Sequence, residues 1–193
     1  MYFKEVLYAI GKLRGEMIKP SSSTIPTKIA ESHRWFPYFK DCVGAIDGTH
    51  ITTKVRRSHS LSYIGRKHYN SQNVLAAVDF NMKFTYVLAG CEGSTHDATI
   101  LVDSLERVDG LKVYEGKLYL ADAGYACHPS FLPPLRTTRY HINEFSTRLY
   151  PKNAKELFNL RHSSLRVTAE RAFAALKNKF NILEHKPFHT FST

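Results

Sequence analysis

Three acidic residues are candidates for chemistry because each lies in a distinctive local context. Asp47 follows an apolar run at 43–46, Asp122 follows another at 118–121, and Glu170 lies where apolar residues recur at helical spacing. Carboxylates that are distant in sequence can converge at one edge of a sheet when strands and a helix carry them there. Mg²⁺ prefers oxygen ligands and often uses a few carboxylates together with water and substrate phosphates. The three residues are therefore a candidate divalent-metal site.

Each acid also has a purely structural interpretation. Asp47 and Asp122 are each followed closely by a glycine, and Asp and Gly are common turn residues. Glu170 is four residues after Arg166, so it also fits a solvated helix with an ion pair worth only ~0.3–0.5 kcal/mol. The local sequence alone leaves both interpretations open.

The charge balance favours a polyanionic partner. Lys and Arg number 27 and Asp and Glu number 17, which gives a formal net charge of +10. A basic surplus of this size favours nucleic acid, through phosphate neutralisation and counterion release. Segment 51–75 contains basic and aromatic side chains without an acid, and a second basic strip surrounds Glu170, although a solvated loop is the alternative. The candidate nucleic-acid-binding residues are Lys54, Arg56, Arg57, Arg66, Lys67, Arg171 and Lys177.

Other classes of protein are disfavoured by what the sequence contains. Cys42, Cys91 and Cys127 are scattered without metal-binding spacing, which argues against a zinc site or a disulfide scaffold and favours a reducing intracellular compartment. Charged residues interrupt segment 1–18, so it is neither a signal peptide nor a membrane span, and we expect a soluble protein. The sequence contains no serine-hydrolase order, phosphate-binding loop or dinucleotide fingerprint.

The apolar periodicity predicts an α/β or α+β domain. We expect an N-terminal helical segment over residues 1–40 and one main domain over 41–193. The predicted helices cover 2–18 with one buried stripe, Thr27–His33, 97–107, Asn153–Arg161 and a longer segment after Ser163-Ser164. The predicted strands cover Cys42–Ile46, Asn73–Phe80, Phe84–Gly90, Lys117–Ala121 and, at an edge, Tyr140–Ile142, with a hairpin between the second and third.

Five short motifs, taken in their order along the chain, make a more specific pattern than any one alone. They are Gly44–His50, Gln72–Ala76, Gly93–Asp97, Leu120–Tyr125, and Glu170–Phe173 with Leu176–Phe180. Together they closely resemble the catalytic domain of PIF/Harbinger-type DDE transposases and of the plant nuclease-like proteins derived from them. The resemblance covers roughly Phe36 to Leu183 and implies an α/β, RNase H-like mixed sheet flanked by helices.

The resemblance also implies roles for individual residues. Asp47, Asp122 and Glu170 correspond to the catalytic acids, which would hold two Mg²⁺ or Mn²⁺ ions, and the 47 residues between the last two resemble the usual separation in the family. Such metals would activate water to cut a phosphodiester at a transposon end, and the freed 3′-hydroxyl would then attack target DNA. His96 and Asp97 correspond to a further motif, and we interpret Asp97 as a helix cap or as a group that orients a ligand.

By the same analogy we expect DNA as a partner, a separate Myb-like DNA-binding protein, a homodimer and a nuclear location, with the cytoplasm open because no clear targeting signal is present. Family members usually carry a helix-turn-helix before the catalytic domain and another helix after it, so we expect a truncated chain. The leading hypothesis is a metal-dependent DNA nuclease. The alternatives are a domesticated, catalytically silent protein that binds DNA or protein, and an unrelated basic binding domain.

Overall fold

A five-stranded mixed sheet forms the centre of the molecule. The computed structural model describes residues 2–65, 68–125, 128–145 and 149–187 of the chain. The strands are β1 (Cys42–Thr52), β2 (Ser71–Val78), β3 (Phe84–Glu92), β4 (Leu118–Leu120) and β5 (Phe131–Leu132). The helices are α1 (Tyr2–Lys12), α2 (Arg14–Met17), α3 (Thr27–Ala30), α4 (Ser60–Tyr63), α5 (Asp97–Glu106) and α6 (Ala154–Lys179). Three short 3₁₀ turns cover Arg57–His59, Ile142–Glu144 and Asn181–Leu183.

The strand order is β3-β2-β1-β4-β5. β1 pairs antiparallel with β2, and β2 pairs antiparallel with β3, whereas β1 pairs parallel with β4 and β4 parallel with β5. The first four strands are those that the apolar runs predicted, although β1 continues six residues beyond Ile46. This mixed sheet with its helices is an α/β RNase H-like fold, so the predicted fold class is confirmed.

Helices cover both faces of the sheet, and β1 contributes to the core on each side. Ile46 packs in one cluster with Ile100 and Leu101 of α5, while Ala45 packs in the other with Leu165 of α6. Neighbouring side chains of a strand point to opposite faces, so a central strand buried on both sides reads as a continuous apolar run. The sheet therefore lies between α5 and α6, and each helix packs on one of its faces.

The C-terminal helix is one element, so the prediction of two helices separated at Ser163-Ser164 was wrong. α6 has 26 residues, and the Asn153 side chain caps it by accepting from Glu156 N at 2.9 Å. Ser164 Oγ donates to Arg161 O at 2.7 Å, and Ser163 Oγ donates to Tyr140 O. Because both hydroxyls find carbonyl acceptors without disturbing the helix, they do not terminate it.

The predicted edge strand at Tyr140–Ile142 was also wrong. The fifth strand is Phe131–Leu132, where Phe131 is buried beside Tyr119. The backbone N–H groups of Tyr140 and His141 instead donate to Glu144 Oε2, each at 3.0 Å, which stabilises a 3₁₀ turn. The Glu144 carboxylate thus accepts the backbone N–H groups that would otherwise pair with a neighbouring strand.

The N-terminal helical segment differs from its prediction in burial and length. α1 ends at Lys12, the short α2 follows, and α3 ends at Ala30. Val6, Ile10 and Met17, expected in a buried stripe, are 55%, 59% and 75% exposed. Helical periodicity reveals an apolar face but not whether another element covers it. The division of the chain at residue 40 stays a prediction. In the described part of the chain, no helix is long and apolar enough to cross a bilayer.

Gly44 offers a test of how closely β1 packs against its neighbours. A Cβ at this position would lie 2.3 Å from Val78 O and 3.1 Å from a Tyr119 ring carbon. We expect Gly44→Ala to lower the free energy of unfolding by roughly 1–3 kcal/mol, because neither neighbour can yield without distorting the sheet. Urea denaturation measures the change. The matched control is Gly11→Ala, where a Cβ meets nothing within 4 Å, and equal stability of the two variants would contradict close packing at Gly44.

Candidate active site

Asp47 of β1 and Asp122, which lies just beyond the neighbouring parallel strand β4, are at the same level of the sheet. Ala45 of β1 is in register with Leu120 of β4, so each aspartate is two residues beyond a paired position. Asp47 is within β1, opposite Ala76 of β2, and not at the end of a strand as the apolar run suggested. Asp122 follows β4, and its Oδ1 accepts from Ala123 N at 2.7 Å. The sheet itself therefore brings these two acids together.

Glu170 reaches the same region from α6. Leu165 and Ala169 are buried against the sheet, and the packing of this face brings the adjacent side chains of Arg166 and Glu170 to β1. Arg166 Nη2 donates to Glu170 Oε1, and Arg166 Nη1 lies 3.7 Å from Asp47 Oδ2. Two of the three predicted acids thus share one guanidinium, although Asp47 and Glu170 are on different elements.

The pKa of Asp47 is affected by the nearby charges of Glu170 and Asp122. Burial raises the pKa of Asp47 from its ordinary 3.8 to about 6, and repulsion by Glu170 and Asp122 adds to the rise. The Arg166 guanidinium and the Gly48 N–H, which donates to Asp47 Oδ1 at 3.0 Å, act in the opposite direction. A buried carboxylate that feels two like charges is favourably placed to gain a cation.

The chemistry of this donor set fits a hard divalent cation. The donors of the three residues are carboxylate oxygens, which suit Mg²⁺ or Mn²⁺ better than a soft metal. Among the described residues, however, no group of three or more His, Cys, Asp or Glu side chains is arranged to hold a metal ion. The Arg166 guanidinium instead pairs with both Asp47 and Glu170. The carboxylates therefore suit the ion by type, while an arginine is the cation that pairs with two of them.

A polar layer supports Asp47 from the opposite face of β1. Asp97 Oδ1 accepts from Asn73 Nδ2 at 2.6 Å, and the same amide contacts Thr95 O at 3.3 Å. A Cβ at Gly48 would lie 2.8 Å from Asp97 Oδ1, so the residue after Asp47 must be small for the carboxylate to approach. Asp97 therefore packs against β1 on the face opposite the Asp47 side chain.

The interpretation of Asp97 as a helix cap was wrong. The N-cap of α5 is His96, whose side chain makes no capping hydrogen bond, and Asp97 is the first residue of the helix. His96 is exposed, whereas Asp97 joins the layer behind Gly48. Of these two residues, it is Asp97 that lies close to the residue after Asp47. A role for either in orienting a metal ligand stays a prediction.

Sequence reasoning missed the roles of three α6 residues that shape the site, namely His162, Arg166 and Asn159. His162, Arg166 and Glu170 recur every four residues, so they lie along one face of the helix. His162 is fully buried, its Nε2 donates to Leu132 O at 2.8 Å, and burial lowers its pKa to about 4. The imidazole is thus neutral at pH 7 and ties α6 to β5. The four-residue spacing was the available signal, but it does not reveal the contact with the sheet.

Asn159, the third missed residue, fixes the segment that borders the site. Its Oδ1 accepts from Leu135 N at 2.9 Å, and its Nδ2 donates to Leu135 O at 3.0 Å and to Arg139 O at 2.9 Å. Between α6 and segment 140–143 is a cavity of about 110 Å³, lined in part by Arg166 and Glu170. The candidate site therefore opens into a small polar space beside the helix.

The residues predicted to bind nucleic acid have different surroundings. Lys54, Arg56 and Arg57 are exposed just beyond the end of β1, and Arg171 is exposed on α6. Lys177 Nζ donates to His50 O at 3.0 Å, so its ammonium ties the end of α6 to β1. Arg66 and Lys67 lie outside the described residues. Nucleic-acid binding by these residues stays a prediction.

The raised pKa of Asp47 makes the stability of the metal-free protein depend on pH. The folded state holds the Asp47 proton more tightly than the unfolded state, so ionisation costs folding free energy as the pH rises from about 4 to about 6. In EDTA we expect Asp47→Asn to match the parent protein below this window and to exceed its stability by about 1–3 kcal/mol at pH 7. Urea denaturation across the pH range measures this difference.

His162 titrates in the same range with the opposite sign, because its pKa is lowered to about 4. Its contribution is present in both proteins and cancels in the difference between them. A difference in stability that does not change with pH would contradict the assignment of a raised pKa to Asp47.

Comparisons with known proteins agree with this arrangement. The family described as "DDE superfamily endonuclease" matches residues 46–190. "Protein ALP1-like" of Arabidopsis thaliana is 29% identical over 160 residues, which cover 74% of this chain and 36% of that protein. "Putative nuclease HARBI1" of Bos taurus and of Homo sapiens is 25% identical over 143 residues, which cover 74% of this chain and 38% of each relative.

The chain thus spans less than two fifths of the length of these curated relatives. No solved structure matches the chain at a significant level. The family match begins at the residue before Asp47, contains all three acids and covers most of the chain. The resemblance to Harbinger-type proteins is confirmed, and the chain belongs to the DDE superfamily endonuclease family.

Proposed function

We propose that this chain is a metal-dependent DNA endonuclease derived from a transposase, which hydrolyses phosphodiesters with Asp47, Asp122 and Glu170 as its metal ligands. Membership of the endonuclease family supports the class of reaction. The relatives named as nucleases support the same class at low identity. The two-metal mechanism and the role of each acid belong to the proposal.

The observation that carries the proposal is the buried, strand-held Asp47 with two acidic neighbours. Its carboxylate is 19% exposed and repelled by Glu170 and Asp122. Burying a charge among like charges is costly unless a cation or hydrogen bonds compensate, and a fold seldom retains such an arrangement without a use for it. A cation-dependent reaction is the use that fits carboxylate donors.

The three acids would make different contributions to such a site. Divalent ions bound there would neutralise charge at the attacking and leaving oxygens of the phosphodiester. Asp47 is held rigidly inside β1, and Asp122 is held by its own turn. Glu170 is 48% exposed on α6 and thus retains freedom to adjust to a ligand. Two fixed donors and one adaptable donor suit a site that must accommodate a substrate.

DNA is the substrate class that the charge favours. The formal net charge is +10, and the exposed Lys54, Arg56 and Arg57 follow β1. β1 rises ~3.3 Å per residue, so this basic segment begins roughly 20 Å from Asp47 along the strand, which is comparable to the width of a duplex. We include in the proposal a nuclear location, a homodimer and a Myb-like partner that supplies DNA recognition.

The second candidate is a catalytically silent descendant that binds DNA or a protein partner. Arg166 favours this alternative, because its guanidinium already neutralises part of the acidic charge. The absence of a ready-made metal cluster among the described residues points the same way. An unrelated basic binding domain is excluded, since the family match covers the acids and most of the chain.

Cleavage of DNA by the purified chain tests the proposal. With Mg²⁺ or Mn²⁺ we expect nicking of a supercoiled plasmid, and we expect Asp122→Asn to slow it by about two orders of magnitude or more, because a lost ligand removes charge stabilisation in the transition state. Asp109→Asn is the matched control, since Asp109 is exposed and pairs with Arg14 and Arg107 away from the site.

Equal cleavage by the parent chain and Asp122→Asn would remove Asp122 from the mechanism. If neither protein cleaves in either metal, the catalytically silent alternative is favoured. Loss of cleavage in Asp109→Asn as well would indicate a general effect of the substitution on the fold.

The basic segment after β1 gives a separate prediction about DNA binding. We expect Arg56→Ala to weaken binding to a duplex and to reduce the slope of log K against log salt by about 1, because one phosphate contact and its released counterion are lost. Fluorescence anisotropy at several salt concentrations measures both quantities. Metal uptake should not change.

Lys155→Ala is the matched control. Lys155 is exposed near the start of α6, about 22 Å from Glu170 at 1.5 Å per residue. If both variants change the salt slope equally, the basic segment after β1 is no more important for DNA than the rest of the surface.

A further inference from the structure

We propose that Arg166 is an exchangeable counter-ion, whose guanidinium holds Asp47 and Glu170 in the metal-free protein and leaves them when a divalent cation binds. This inference rests on the proposed function, because it assumes that the acids are metal ligands. It assigns to Arg166 a positioning role that sets the affinity of metal binding.

The placement of Arg166 differs from that of a surface ion pair. Its side chain is 15% exposed, compared with 48% for Glu170, so the charge lies inside the cleft while one of its partners extends towards solvent. Its two guanidinium nitrogens point to carboxylates on different elements, Glu170 on α6 and Asp47 on β1. A pair removed from bulk water is less screened than an exposed pair. The guanidinium therefore acts as the cation of the acid cluster.

The hydrogen-bond acceptors of Arg139 provide a comparison with those of Arg166. Its guanidinium donates to the carbonyl oxygens of Glu144 and Tyr150 and, at 2.5 Å, to Glu156 Oε2. These acceptors hold a loop on the helix, and the two carbonyls are neutral. By contrast, the hydrogen bond and ion pairs of Arg166 are to carboxylates that a metal ion would also take. Arg166 thus competes directly for the ligands of the proposed site.

The net negative charge of the three carboxylates and Arg166 favours this exchange. Three carboxylates opposed by one guanidinium leave two negative charges uncompensated when all four groups are charged. The cluster thus remains negative with Arg166 in place, and one divalent ion brings carboxylates alone to −1. A compact divalent ion can approach several oxygens at once, whereas a guanidinium contacts them only through N–H groups. The acids therefore gain more from the metal than from Arg166.

The structure also provides space into which the arginine can move. The cavity of about 110 Å³ between α6 and segment 140–143 is lined by Arg166 and Glu170. A volume of this size accommodates several water molecules, so the long Arg166 side chain can turn within it while remaining solvated. A guanidinium released there would lie beside the metal site, where a planar, bidentate donor suits a phosphate.

Metal binding by Arg166→Gln tests the exchange. We expect this variant to bind Mn²⁺ about tenfold more tightly than the parent chain, a change equivalent to about 1.4 kcal/mol, because the ion no longer displaces a cation. Titration of free Mn²⁺ by electron paramagnetic resonance measures the affinity without any DNA. In EDTA the same variant should melt roughly 2–6 °C lower, since the acids repel each other without their counter-ion.

Arg161→Gln is the matched control. It removes the same charge from the same helix, but the Arg161 guanidinium lies over the Tyr38 ring at 5.2 Å instead of between acids. Its Mn²⁺ affinity should equal that of the parent chain. Asp122→Asn is included in the titration to show whether the bound ion depends on the acids.

A direct readout follows the guanidinium itself. The ¹⁵N side-chain Nε–H signal of Arg166, assigned by its loss in Arg166→Lys, should shift as Mg²⁺ is added, and KCl at matched ionic strength should leave it in place. A purely structural arginine would show neither this shift nor tighter metal binding after its removal.

The outcomes separate this inference from the proposed function. If Mn²⁺ binding depends on Asp122 but is unchanged or weaker in Arg166→Gln, the exchange is wrong and the metal site stands. If Mn²⁺ binding is absent, or is the same in the parent chain and Asp122→Asn, the proposed metal site is wrong and the exchange is wrong with it.

Discussion

The burial of the Asp47 carboxylate is the constraint on which the rest of the site depends. A charge in the middle of a sheet is costly unless another charge compensates it, and here repulsion by two nearby acids adds to that cost. Arg166 provides the compensation in the metal-free protein. Because Arg166 is on α6 and Asp47 is on β1, this interaction requires the helix to lie in one register against the sheet.

The fold meets that requirement with contacts on both faces of β1. Leu165 and Ala169 fill the space between α6 and the sheet, one turn or less from Arg166. On the other face, Asp97 approaches the backbone at Gly48, where any larger residue would collide with it. The strand that carries Asp47 is therefore held between a packed helix and a polar support. Such rigidity positions a ligand with little loss of entropy on binding.

Much of this arrangement could be predicted from the sequence, because apolar runs mark the four main strands and the ordered motifs identify the fold. The predictions failed where a tertiary contact overrides a local pattern. Ser163 and Ser164 look like a helix break until their carbonyl acceptors are known. Likewise, the spacing of Arg166 and Glu170 reveals a helical ion pair, but not the approach of Arg166 to Asp47, which is 119 residues away in sequence. The roles of the three acids in catalysis stay predictions.

The two anchors of α6 have a consequence for how this architecture can evolve. His162 fastens the helix to β5, and Lys177 fastens it to the end of β1, on either side of Glu170. The helix thus does not rely on the covalent path that leads from β5 to residue 154 for its placement. We therefore expect changes in this stretch that keep the contacts of Arg139 with Asn159 and Glu156 of α6 to leave the acids in position. A lineage can in this way acquire new recognition surfaces without rebuilding its centre.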